Sequence, residues 1–127
     1  VSLNENVLQS HVTLSLAYVL GGQPDMAKSE IEKVRALNEG YIDIDDLKKM
    51  VRIWWQAKDR GMTIGFLDEM EDAAGASPDY WSFIIEFYVE IGEKERAARA
   101  GQKLIEIDPS QEEWVRLKLS DFEEQTE

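Results

Sequence analysis

Apolar and polar positions alternate along this chain with the period of an α-helix almost throughout. Leu14, Ala17/Tyr18 and Gly21 share one face, and so do Ala27, Ile31, Val34 and Leu37/Asn38. Leu47, Met50/Val51, Trp54 and Ala57 form a third stripe, and Phe66, Met70 and Ala73 a fourth. Trp81, Ile84/Ile85 and Tyr88 form a fifth, then Ala97, Ala100/Gly101, Leu104 and Ile107 a sixth. Trp114/Val115, Leu117/Lys118 and Phe122 suggest a seventh. Spacings of three and four put such residues on one side of a 3.6-residue turn. "YIDID" at 41–45 is the one stretch that alternates like a half-buried strand, and it is short.

The residues between stripes fit helix ends. Ser77 precedes Pro78 and Asp79: a capping hydroxyl, a proline where no N–H is needed, and an acid at the positive end of the helix. Ser110 and Glu113 have the spacing of a capping box, and Asp43 and Asp46 repeat it with a shorter acid. Gly22, Gly61 and Gly92 each lie between two stripes, where a tight turn favours a residue free to take positive φ. The pattern predicts seven helices, at about 5–21, 24–38, 44–59, 63–75, 78–91, 93–107 and 110–124. Short connections make consecutive helices antiparallel neighbours.

The three turn glycines also align their surroundings. Five residues beyond them stand Ala27, Phe66 and Ala97, and four before them Tyr18, Ala57 and Tyr88. Eight before are Leu14, Ile53 and Ile84; eleven before are His11, Met50 and Trp81. Pro78 and Pro109 follow the last two glycines by seventeen. With Trp81, Ile84, Tyr88, Gly92, Ala97 and Pro109 in place, the segment from Pro78 to Pro109 resembles a tetratricopeptide repeat. Leu14, Tyr18, Gly22, Ala27 and Ile31 carry the same resemblance in the first unit, and Ile53, Gly61 and Pro78 a thinner one in the second. The resemblance implies an all-α fold, a right-handed superhelical stack of about three helix-turn-helix units at 8–41, 47–77 and 78–109, in a single domain. A capping helix at 110–124 closes it, with Trp114, Leu117 and Phe122 on one side. Three departures are visible. Gly101 replaces a large aromatic, Ile85 and Trp54 replace small residues, and glycine spacings of 39 and 31 make "YIDIDD" an insertion.

The resemblance also implies a partner-binding groove lined by the first helix of each unit. Its positions fall on Val12, Leu16 and Val19, then on Lys48, Val51, Trp55 and Lys58, then on Asp79, Ser82, Glu86 and Val89. Adjacent residues on a helix point about 100° apart, so Trp54 and Trp55 cannot share a core. Trp54 lies on the Met50/Ala57 stripe, which leaves Trp55 as the candidate for an exposed aromatic anchor, the alternative being that it packs on the following unit.

Charge narrows the partners. The 127-residue chain carries 26 acidic and 14 basic side chains, a net −12. Such a surface repels nucleic acid and anionic membrane and favours a basic protein or peptide. The longest apolar run, 12–20, is too short to span a bilayer. The acidic run Asp68, Glu69, Glu71 and Asp72 reads as a solvated outer face.

Catalytic chemistry is poorly provided for. There is no cysteine and a single histidine, His11, which rules out thiolate nucleophiles and multi-histidine metal sites. "QSHV" sets Ser10 beside His11, where helical neighbours do not face each other. No GxxxxGK[ST] phosphate loop occurs. Asp43, Asp45 and Asp46 begin like a calcium loop, but Lys48 and Trp54 stand where Gly and Glu are required. The expectation is a non-enzymatic interaction module with no cofactor. The alternative is a structural segment of a longer solenoid, or a self-associating repeat protein; the expectation is that the capping helix with its polar tail closes the domain and that the N-terminal end, with no comparable polar cap, does not.

Overall fold

The computed structural model of the chain describes residues 3–125, with side chains described over 6–122. It is all-helical, and no strand occurs among the described residues. The helices are α1 (Leu3–Leu20), α2 (Pro24–Leu37), α3 (Ile44–Gln56), α4 (Arg60–Ala73), α5 (Pro78–Ile91), α6 (Lys94–Ile107) and α7 (Glu112–Gln125). A 3₁₀ turn, Pro109–Gln111, leads into α7. They form two compact units, Val1–Glu69 and Met70–Glu127, divided within α4. No described helix is long and apolar enough to cross a membrane.

The first unit packs α1 against α2 and α3. Leu8, Val12, Ser15 and Val19 make the buried side of α1, and Ala27, Ile31 and Val34 that of α2. Leu47, Met50, Val51 and Trp54 are the buried residues of α3, and the Trp54 ring meets Phe66 of α4 with centroids 6.4 Å apart. Ion pairs join the helices at their polar edges. Arg35 of α2 makes a two-pronged bridge to Glu69 of α4 through both terminal nitrogens. Half-buried and bound to Glu69, its guanidinium is held above the usual arginine range. Gln9 of α1 donates to the buried carboxylate of Asp46 on α3, 3.1 Å away. That contact, and Lys49 at 3.8 Å, use the acid that the sequence assigns to a cap.

The second unit packs α5 against α6, with α7 across both. Trp81, Ile84, Ile85, Phe87, Tyr88, Val89 and Ile91, half of α5, are buried. The buried side of α7 differs from the expected one. It comprises Val115 and Phe122, with half-buried Leu119 between, whereas Leu117 is 62% exposed. Gly101 explains this choice. A Cβ on Gly101 would lie 2.6 Å from Val115 Cγ1, so α7 sits where an aromatic side chain would have been. The cap before α7 also moves: Asp108, not Ser110, accepts from the Ser110 amide at 3.2 Å and its hydroxyl at 2.7 Å. Those bonds, the hydroxyl first, hold the Asp108 carboxyl below its ordinary range.

Three turns reveal the true register. Gly22 is left-handed, φ 77°, and Gly92 likewise, φ 81°. The matching residue of the middle turn is Lys58, φ 64°, and Gly61 lies inside α4. The hydrogen bonds agree one for one. Gly22, Lys58 and Gly92 donate to the carbonyls of Val19, Trp55 and Val89, at 3.1, 2.9 and 3.2 Å. Gln23, Asp59 and Glu93 donate to Tyr18, Trp54 and Tyr88, at 2.8, 3.1 and 2.9 Å. This is the paired helix-stop pattern that a left-handed residue closes. The spacings become 36 and 34, and the apparent insertion at "YIDIDD" shrinks to two residues. Five residues on, Ala27, Thr63 and Ala97 are each fully enclosed, so a small residue occupies every crossing. Four before, Tyr18, Trp54 and Tyr88 supply an aromatic each time.

Candidate partner-binding faces

The corrected register changes which residues of α3 are equivalent to the candidates on α1 and α5. Thirteen, ten, six and three positions before each left-handed residue lie Gln9, Val12, Leu16 and Val19 on α1. On α3 the series is Asp45, Lys48, Arg52 and Trp55; on α5 it is Asp79, Ser82, Glu86 and Val89. Val51 falls outside the series and is fully enclosed. Lys58 falls outside it too, as the exposed residue that closes the turn. Asp45 and Arg52, both exposed, take their places. The missed signal was the aromatic: matching Trp54 to Tyr18 and Tyr88 would have set the register without the glycine.

Val12 and Val19 are covered within the first unit and offer a partner no surface; Leu16 is half-buried. On α3, Lys48 and Trp55 are half-buried, flanked by exposed Asp45 and Arg52. Trp54 is 1% exposed, so the division of the two indoles is as the 100° rotation requires. The Arg60 guanidinium lies 6.0 Å from the Trp55 ring centroid, at cation–π distance. Trp55 therefore presents an edge that solvent reaches and a face with a positive charge nearby. On α5, Asp79 and Glu86 are exposed, Ser82 half-buried and Val89 buried. The Ser82 hydroxyl donates to the Pro78 carbonyl at 2.8 Å, and Lys118 Nζ stands 3.8 Å from Glu86. α5 thus presents two carboxylates, one of them with a lysine nearby.

Other polar groups have structural tasks. His11 Nδ1 is 2.5 Å from Glu30 Oε2 across α1 and α2, and Lys33 Nζ is 3.1 Å from Oε1. Burial alone would raise the Glu30 carboxyl; hydrogen bonds and charge from Lys33 and His11 outweigh it and hold the group below its ordinary range. The acidic run on α4 is only half a solvated face: Glu69 binds Arg35, and Glu71 accepts from the Tyr88 hydroxyl at 2.5 Å. Asp68 and Asp72 remain exposed. Among the described residues no group of three or more histidines and acids is placed to hold a metal ion. Trp54 Nε1 is buried with no hydrogen-bond partner among them, a cost of about 1–3 kcal/mol that the indole's packing must offset.

No protein-family model matches the chain, and neither the curated proteins nor the solved structures compared with it include a match.

Proposed function

We propose that the chain is a tetratricopeptide-like interaction module that binds a protein or peptide segment carrying basic residues and performs no catalysis. The observation that carries the reading is the shared register. Three turns with the same hydrogen bonds give the first helices a common register, in which α3 carries an aromatic residue and α3 and α5 carry charged ones at equivalent positions. Helical repeats of this kind bind through residues that recur once per unit. Trp55 is the anchor on α3, with Asp45, Lys48 and Arg52 around it. Aromatic and arginine side chains dominate binding energy at protein interfaces. In the second unit, taken by itself, the exposed carboxylates Asp79 and Glu86 of α5 suit basic side chains. A net charge of −12 speeds the approach of such a segment and makes its binding salt-sensitive.

The test is selection from a random peptide library, followed by calorimetric titration at low and moderate salt. Basic peptides with at least one large apolar residue are expected to be enriched. Trp55→Ala should weaken them by roughly tenfold or more, since an anchoring aromatic is worth about 2 kcal/mol. Enrichment of acidic peptides, or unchanged affinity in Trp55→Ala, would overturn the assignment.

A further inference from the structure

α1 has an apolar inner side and an uncharged outer one, and only the inner side is covered. Its inner side, Leu8, Val12, Ser15 and Val19, is buried in the first unit. On the opposite side Asn6, Gln9, Ser10, Thr13, Leu14 and Ala17 line an open, uncharged depression of about 560 Å³. Leu14 is 40% exposed there, while its equivalents in the other units, Met50 and Ile84, are fully enclosed.

Charge identifies what covers it. From Asn6 to Pro24 the chain has no Asp, Glu, Lys or Arg, although 31% of all its residues are of these types. His11, the one titratable group facing out of this stretch apart from Tyr18, is engaged with Glu30. Two copies with net charge −12 repel across most of their surface. The outer side of α1 is where they can meet without opposing like charges. Small residues, Ser10 and Ala17, leave room for the Leu14 side chain of a facing helix.

We infer that the outer side of α1 is a self-association surface, on which a second copy of this chain packs its own α1 about a two-fold axis. Such a contact is self-complementary and closes at two copies. Its centre, Leu14, lies on a different helix from Trp55 and outside the recurring series of candidate positions.

Sedimentation equilibrium on the full chain, up to about 1 mM, tests this. The wild type should form dimers and no larger species, with tighter association as added salt screens the net charge. Leu14→Glu should raise the dimer dissociation constant roughly tenfold or more, because it sets two carboxylates face to face. Ser10→Arg, at another exposed position, should do the same, and Trp55→Ala should leave the constant unchanged. Circular dichroism of each variant checks that helicity is kept. A wild type that stays monomeric throughout the range overturns the inference. So does a dimer that survives both α1 substitutions, or one that Trp55→Ala dissolves.

Discussion

Replacing Gly101 by alanine puts a methyl group where α7 already stands. The added Cβ would lie 2.6 Å from Val115 Cγ1, with Leu119 Cδ1 at 3.8 Å and Val115 Cβ at 3.9 Å. Carbon atoms in ordinary contact sit about 3.5–4.0 Å apart, so roughly 1 Å of separation is missing. Valine in a helix is confined to one χ1 rotamer and cannot swing its methyl aside. The relief must come from shifting α7 away from α6. Two effects then compete. Alanine is favoured over glycine inside a helix by about 1 kcal/mol. Overpacking a closed core costs about 1–3 kcal/mol. We expect the overlap to win, with a net loss of about 1 kcal/mol and a melting temperature lower by roughly 4 °C. Urea unfolding followed by circular dichroism measures the loss. The cause is isolated by a second substitution, Val115→Ala, which removes the clashing methyl. The double variant should be more stable than the sum of the single effects predicts, by about 1 kcal/mol or more. A Gly101→Ala protein more stable than the wild type, or additivity in the cycle, would refute the account of why glycine stands here.

Two further outcomes follow from backbone and charge. Lys58→Gly should raise stability by about 0.5–1 kcal/mol, because a left-handed lysine is strained and glycine is not, while Gly22→Ala and Gly92→Ala should each cost about 1 kcal/mol; thermal unfolding of the three variants tests the register directly. The Glu30 carboxyl is depressed in the folded chain, so its contribution is present above the ordinary glutamate range and is lost as pH falls through its lowered value. Urea midpoints measured from pH 6 down to about 3 should therefore fall more steeply for the wild type than for Glu30→Gln.

Helix number and extent were legible in the sequence because period-3.6 patterning is strong here, and six helices lie close to their expected bounds. The fourth begins at Arg60, three residues early, for the reason that also hid the register. Glycine is the usual marker of a left-handed turn, but Lys58 takes that conformation at an energetic cost, and Gly61, three residues on, is merely helical. Sequence reveals which residues tolerate a conformation and not which one adopts it. The division between Trp54 and Trp55 followed from helix geometry alone. The choice of Val51 over Arg52 did not survive the change of register. The packed side of α7 was not legible either, because it depends on the room that Gly101 leaves in a helix thirteen or more residues away.

The four tryptophans are distributed in a way that bears on how the molecule can be watched. Trp54 is sealed among apolar groups with its N–H unengaged, and Trp55, its neighbour in the chain, is partly wetted. Trp81 is enclosed and donates to the Gly75 carbonyl at 3.0 Å, while Trp114 is partly wetted beside Lys118. Each compact unit thus contains one indole that a dissolved quencher cannot reach and one that it can. Emission that resists iodide comes from Trp54 and Trp81, and single Trp→Phe replacements assign it to one unit or the other. The chain carries its own pair of optical reporters, and the melting of its two halves can be timed separately without attaching a label.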